Sequence, residues 1–204
     1  MLNILIPSIP ERSKQVTILL SKLKTQIDYC HKVHSTLGMV NVIVDDSKRF
    51  LLGGLSIGDI RNILLNQSKS KYICFLDDDD SISPDYVETL LRLCAEGKDI
   101  CTFKSLFMCD GYWTVIEMGL GNENQQASPD ITVMRNAWHI CPVKRTLAIQ
   151  HKFSNINHNE DWDWFSRVLE GVKTEAKSKR ILHNYNHYVE ISEADKIINE
   201  NTIN

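Results

Sequence analysis

Two groups of carboxylates in this chain have residue types that could do chemistry, the first of them by holding a divalent cation. The first is Asp77-Asp78-Asp79-Asp80, which follows the apolar run Tyr72-Ile73-Cys74-Phe75-Leu76 without a break. That run has no polar alternation and is only strand-length, so it reads as a buried strand. Its acids then stand at the strand's C-terminal end, where open α/β sheets bind ligands. Adjacent carboxylates repel one another, and a divalent cation, which prefers oxygen ligands, would relieve them. A solvated acidic turn is the plain alternative; continuity with a buried strand weighs against it.

The second group is Glu160, Asp161 and Asp163, within His158-Asn159-Glu160-Asp161-Trp162-Asp163-Trp164-Phe165. Asn159 suits an N-cap, and Trp162, Phe165 and Leu169 suit the buried stripe of a short helix. Acids in a first helical turn need no role beyond facing the helix dipole, and on this motif alone that reading is favoured. A third stretch, Ile181 to Tyr188, places His183, Tyr185 and His187 on one face of a strand. Two histidines there are as readily metal ligands as structural residues.

The elements around these groups read as a nucleotide-type α/β half. Leu2 to Ile6 is a buried strand, and Pro7 to Ser13 is a loop because two prolines cannot continue a central strand. A helix comes next, with Val16, Leu19, Leu20 and Leu23 on one face. Val40 to Val44 is a second strand that ends in Asp45-Asp46-Ser47, which gives βαβ logic and a parallel sheet. Gly53-Gly54 marks a loop. Asp59 to Ser68 is a helix whose shared face of Ile60, Ile63 and Leu64 leaves Arg61 and Asn62 on other faces. Ser83-Pro84 reads as a helix start with Ser83 as N-cap, and Val87, Leu90, Leu91 and Cys94 form the buried face. Ile100 to Phe103 is a further strand. Beyond Asp110 the chain is more irregular. Trp113 to Met118 reads as an antiparallel strand, Asn122 to Asp130 as a polar loop, and Ile191 to Asn204 as a weak amphipathic helix or frayed end. The expectation is one domain over 1–204, with a nucleotide-binding half (1–110) and a half that completes the site (111–204).

Bulk composition narrows the field. The 204 residues are 43% hydrophobic and 24% charged, enough for a packed core and unlike a disordered chain. A net charge of −3 gives no global pull toward nucleic acid or an anionic membrane. The six cysteines form no CxxC pair, which points to buried reduced thiols. The start lacks the pattern of a signal peptide and no apolar run approaches membrane-spanning length. A cytoplasmic protein with at most peripheral membrane contact is expected.

In this order and spacing, the motifs resemble those of small inverting glycosyltransferases of the GT-A fold, in the family-2 superfamily. Ile4-Leu5-Ile6-Pro7-Ser8 is similar to the family's nucleotide-facing start, and Val44-Asp45-Asp46-Ser47 to its second-strand acidic turn. Gly58-Asp59-Ile60-Arg61-Asn62 resembles the "ARN" helix. Phe75 to Asp80 resembles the "DxD" motif, Asn159 to Asp163 the "ED" motif, and Tyr185-Asn186-His187 the C-terminal Tyr–His element. Two departures stand out: no glycine follows the second-strand acids, and Asn186 replaces an arginine common near the Tyr–His element. Trp138 to Arg145 is similar to a stretch of some small members whose role is open.

The resemblance implies an α/β GT-A fold, a mainly parallel central sheet flanked by helices and an irregular C-terminal acceptor half. It implies sugar transfer from a nucleotide diphosphate sugar, with a UDP-hexose the default donor, to an acceptor hydroxyl. Pro7, Ser8, Glu11, Asp45, Asp46, Arg61, Asp77 and Asp78 would hold the donor. Asp79 would ligate Mn²⁺ or Mg²⁺, with His187 as the distal ligand. Asp161 would be the base, with Glu160 second. The acceptor, whether glycan, lipid-linked sugar, protein or modified nucleobase, stays open. The competing readings are a GT-A-like binding module without turnover and a metal-dependent nucleotidyltransferase or phosphatase. The last is a poor fit, because the Asp run lies on a middle strand.

Overall fold

The computed structural model describes residues 1–34, 36–45, 54–109, 112–129 and 131–187. In chain order these form β1 (Leu2–Pro7), a 3-10 turn (Pro10–Arg12), α1 (Ser13–Val33), β2 (Val40–Asp45), α2 (Ile57–Gln67), β3 (Tyr72–Phe75) and β4 (Ser81–Ile82). They continue with α3 (Tyr86–Ala95), β5 (Ile100–Cys109), β6 (Tyr112–Met118), β7 (Thr132–Arg135), β8 (Val143–Lys144), α4 (Arg145–Ala148), α5 (Glu160–Leu169) and β9 (Glu175–His187). The strands join in one sheet, ordered β2-β1-β3-β8-β5-β6-β7, with β9 against β5 and β4 against β9.

The N-terminal part is parallel: β1 lies between β2 and β3 and runs with both. β1 and β3 are fully buried, which explains their unbroken apolar character. In register, Pro7 pairs with Asp45 and Leu5 with Phe75, so the chain leaves all three strands at one edge. The amide of Ser8 donates to the Asp45 carbonyl at 2.9 Å and that of Leu76 to the Leu5 carbonyl at 3.0 Å. The acids after β2 and β3 therefore share that edge with the loop after β1.

β5 organises the other half. It is antiparallel to β6 and, at Ile100, to β8, and parallel to β9 along its length. The two-residue β8 also pairs antiparallel with β3. This continues through the amide of Phe75, which donates to the His139 carbonyl at 3.0 Å. The turn at 138–141 is thereby fixed beside the end of β3.

Three expectations change in detail. α3 starts at Tyr86, not at Pro84: its N-cap is Asp85, and the Ser83 hydroxyl donates to the Asp85 carboxylate instead of capping the helix amides. β5 runs on to Cys109, because β6 and β9 both pair with it beyond Phe103. In α5 the buried aromatic is Trp164, not Trp162, which is 47% exposed. Trp164 stacks on Phe153 at 4.3 Å and meets Phe75 edge-on at 5.5 Å, and this aromatic contact sets the rotation of the helix. Cys30, Cys74, Cys94, Cys101 and Cys141 are buried free thiols. Gly53, Asp46 and the tail from Ile191 lie outside the described residues.

Candidate active site

The donor-side acids are held from the loop after β1. The Ser8 hydroxyl donates to Asp78 Oδ2 at 2.8 Å, and the guanidinium of Arg12 lies 2.9 Å from both Asp78 Oδ1 and Asp79 Oδ2. Asp78 is buried, while Asp79 keeps 38% of its side chain exposed. Burial and three neighbouring carboxylates raise the Asp79 pKa to about 6, although Arg12 opposes this. Asp79 is thus the acid of the run that lacks enough positive charge, and the one a cation would suit. Asp80 points away from it: its Oδ2 accepts from the Asp77 amide and lies 2.8 Å from His183 Nε2, whose Nδ1 is 2.7 Å from the Ser105 hydroxyl. Among the described residues no set of three or more His, Cys, Asp or Glu forms a metal cage. A metal at Asp79 would need ligands from outside the described side chains. Asp45 is buried beside Ser8, Pro7 is buried at the end of β1, and Glu11 is exposed on the 3-10 turn. Asp46 and the side chain of His187 lie outside the described residues.

The two acidic groups meet, and two cations join them. Arg61 donates through Nη2 to Asp77 Oδ1 at 2.9 Å and through Nε to Glu160 Oε1 at 3.0 Å. It is buried on the Phe75 ring, its Cζ 5.2 Å from the centroid, and its Nη1 has no partner among the described residues. His139, only 3% exposed, has Nδ1 2.9 Å from Asp161 Oδ2 and Nε2 3.6 Å from Asp77 Oδ2. Neither ring nitrogen is aligned as a hydrogen bond, so charge carries these contacts. Asp161 Oδ2 also accepts from Trp138 Nε1 at 3.0 Å.

Local structure puts the second group there. A capping box of Ser56 and Asp59 starts α2 and so orients Arg61. Asn62 exchanges two 2.9 Å hydrogen bonds with the backbone of Phe153, pinning the loop before α5. Asn159 then turns at φ 60°, a left-handed conformation that Asn tolerates, and presents Glu160 and Asp161. Gly58 is required in this contact, because a Cβ on it would lie 2.0 Å from the Ser154 carbonyl oxygen. Gly58→Ala is therefore expected to cost about 1–3 kcal/mol and push the loop away from α2. An unchanged urea midpoint would contradict this.

The charges are strongly coupled. Burial opposes the imidazolium of His139, but the carboxylates of Asp161 and Asp77 outweigh it and raise the pKa to about 9. Burial pushes the Asp161 and Asp77 carboxyls up, yet His139 and Arg61 hold both well below the usual range. The stabilisation from His139 is complete below its ordinary value of 6.5 and is lost as pH rises through about 9. For the two carboxylates the sign reverses: it is present above 3.8 and lost as pH falls. The melting temperature is expected to fall between pH 6.5 and 9 in the native chain and to stay flatter in His139→Gln. Equal slopes for the two would contradict this.

Beside Asp161 opens a small cleft lined by Asp77, Asp80 and Asp161 together with His139, His183 and aromatic and aliphatic side chains. The structure thus gathers Ser8, Arg61, Asp77, Asp78, Asp161 and Glu160 into one site. It adds Arg12, Trp138, His139, Ser105 and His183. Arg12 is open to inference from sequence, since a basic residue in the loop after β1 stands at the ligand edge of such a sheet. No local pattern points to His139.

The mixed α/β sheet, with its acids at one edge, is an architecture of the GT-A class. The model of glycosyl transferase family 2 matches residues 54–151, which include Arg61, the Asp77–Asp80 run and His139. The crystal structure of S. aureus TarS superposes with a TM-score of 0.63 at 14% identity, covering 91% of this chain and 36% of that one. Its 1-349 form in complex with UDP-GlcNAc gives 0.61 at 15% identity, over 92% of this chain and 58% of that one. The complex of that form with UDP gives 0.59 at 14% identity, over 91% and 60%. The chain therefore spans under two thirds of the length of these structures. No curated protein sequence matches it. The chain thus carries a segment similar to glycosyl transferase family 2 and shares the fold of these structures.

Proposed function

We propose that the chain is a metal-dependent inverting glycosyltransferase that moves a sugar from a nucleotide diphosphate sugar to an acceptor hydroxyl. The observation that carries this reading is the linkage of the two acidic groups: Asp77 is tied through Arg61 to Glu160 and approached through His139 to Asp161. A group suited to a cationic diphosphate partner and a group suited to a proton thus border one cleft. UDP-GlcNAc, the ligand in one TarS complex, is the first donor to test.

In this reading the edge formed by Pro7, Ser8, Glu11, Asp45, Asp46, Asp77 and Asp78 holds the nucleotide. Asp79, with His187 as second protein ligand, would hold Mn²⁺ or Mg²⁺, which when bound offsets charge on the departing diphosphate. The exposure of Asp79 at the end of the turn supports this, since Asp78 and Asp80 are buried. Phosphate oxygens would complete the coordination. Arg61 Nη1, buried and without a partner among the described residues, is available to a donor oxygen.

Asp161 takes the acceptor's proton. Its Oδ2 is occupied by Trp138 and His139, which leaves Oδ1 for the hydroxyl. A carboxylate held this acidic is a weak base toward an ordinary alcohol. It suffices once the new C–O bond is forming, because the attacking oxygen then becomes strongly acidic. Glu160 is the counter-ion of Arg61, a better account of its burial than service as a second base. Attack from the Asp161 side in one displacement inverts the anomeric carbon. In this division of labour, 1–110 bind the donor and 111–204 supply the acceptor side.

Asp79→Ala is expected to abolish the Mn²⁺-dependent part of UDP binding by calorimetry; an unchanged metal-dependent affinity would contradict it. The low pKa of Asp161 also favours a second reading, a nucleotide-sugar-binding module without turnover. Slow hydrolysis of a UDP-sugar panel with Mn²⁺ separates the two, since the module would bind donor and release no UDP.

A further inference from the structure

We propose that the cleft beside Asp161 is the acceptor subsite, that it takes an uncharged sugar ring, and that Trp138 positions that ring against the base. This rests on the transferase reading and narrows it to a chemical class of acceptor.

The first observation is the division of the edge. Ser8, Arg12, Asp78 and Asp79 lie on one side of the Asp77–Asp80 turn and contribute nothing to the cleft wall. Asp77 and Asp80 face the other side and do line it, together with Asp161. The nucleotide side and the cleft thus meet at Asp77, and the rest of the cleft is left for the second substrate.

The second observation is charge. Among the described residues that line the cleft, three are carboxylates and none is Lys or Arg. His139, the cation of the lining, is already held between Asp161 and Asp77. A phosphate- or carboxylate-bearing acceptor would face these acids with no guanidinium or ammonium to pair with. At short range in a cleft that repulsion disfavours an anionic acceptor, as juxtaposed like charges do at interfaces. The hydroxyls of a neutral sugar instead donate to carboxylate oxygens, and Asp77 and Asp161, which keep part of their side chains exposed, are open to them, whereas Asp80 is buried against His183.

The third observation is the wall. Phe107, Ile116, Met118, Trp138, Ile140 and Tyr185 supply its apolar part. Tyr185 stacks on Phe107 with centroids 5.4 Å apart and planes at 10°, and Trp138 lies tilted against Tyr185 at 6.5 Å. Apolar and aromatic side chains beside carboxylates match the two characters of a pyranose, with C–H groups on its faces and hydroxyls at its edge. Trp138 joins them, because its ring is part of the wall while its Nε1 donates to Asp161. A ring seated on Trp138 is held beside the base.

The test has two arms. In the first, the chain saturated with UDP and Mn²⁺ is probed by saturation-transfer NMR. The probes are the methyl glycosides of glucose, galactose, mannose and N-acetylglucosamine, set against methyl glucuronide and a glycerol phosphate oligomer. At least one neutral glycoside is expected to give signal and the anionic probes none. Signal from the anionic probes alone, or from no probe while UDP and Mn²⁺ bind, overturns the proposal. In the second arm, the best glycoside serves as acceptor for transfer. Trp138→Ala is expected to raise its KM about 10–200-fold, the range for losing one apolar contact in a pocket, with a far smaller change in donor KM. Trp138→Phe is expected to restore most of the acceptor KM while kcat stays low, because the Nε1 donor to Asp161 is gone. A rise confined to donor KM would show that the cleft holds the donor sugar and would overturn the assignment. If UDP fails to bind native protein at all, the transferase reading itself falls, and the acceptor proposal falls with it.

Discussion

Asp161→Asn is expected to bind UDP and UDP-sugar with near-native affinity and to transfer sugar about 10²–10⁴-fold more slowly, the usual size of a lost general base. The substitution keeps shape and volume, so Trp138 and the aromatic support of α5 stay in place. What it removes is the carboxylate that borders the cleft, receives Trp138 Nε1 and lies 2.9 Å from His139. It also removes a counter-ion of His139, whose raised pKa depends heavily on Asp161. The proposed donor contacts, apart from Asp77, lie across the turn and keep their side chains, so KM for the donor is expected to change little while kcat collapses. Turnover at the native rate would remove Asp161 from the mechanism.

Arg61→Met is expected to cost about 3–5 kcal/mol, the range for breaking a buried ion pair from one side. Arg61 pairs with Glu160 and also neutralises Asp77, and it does so against the aromatic cluster of Phe75, Phe153 and Trp164. The loss leaves Asp77 and Glu160 without the guanidinium they share. For a chain of this length the melting temperature should fall by about 10 °C. Arg61→Lys keeps the charge but cannot make both contacts with one planar group, and should fall between the two. A melting temperature of Arg61→Met equal to that of native protein would mean that the bridge contributes nothing to the fold.

Which of these residues a sequence reader can find depends on how local their causes are. The strand Tyr72–Phe75 is legible because an unbroken apolar run has one reading at strand length, and the acids that come directly after such a strand must lie at the sheet edge. Arg61 is legible only as a motif. Its hydrophobic neighbours place it on a different helix face, yet it is buried, because acids on the turn after β3 and on α5 compensate it across the fold. The face of α5 is misread for a related reason. Trp162 and Trp164 are both plausible by local spacing, and the choice between them is made by Phe75 and Phe153, which lie outside the helix. His139 is the least legible. It sits in a turn without periodicity, positioned by a two-residue strand that pairs with β3. The cleft wall likewise joins β5, β6, β9 and the 138–141 turn, and no single stretch of sequence carries it.

A crystal grown with UDP and Mn²⁺ addresses the core of the account most directly. The prediction is that the ion sits on the Asp79 carboxylate, bridged to the diphosphate, with the terminal phosphate directed across the turn toward the mouth of the cleft that Asp161 borders. Nucleotide bound elsewhere on the molecule, or seated at Asp79 with its terminal phosphate turned away from that cleft, would contradict it.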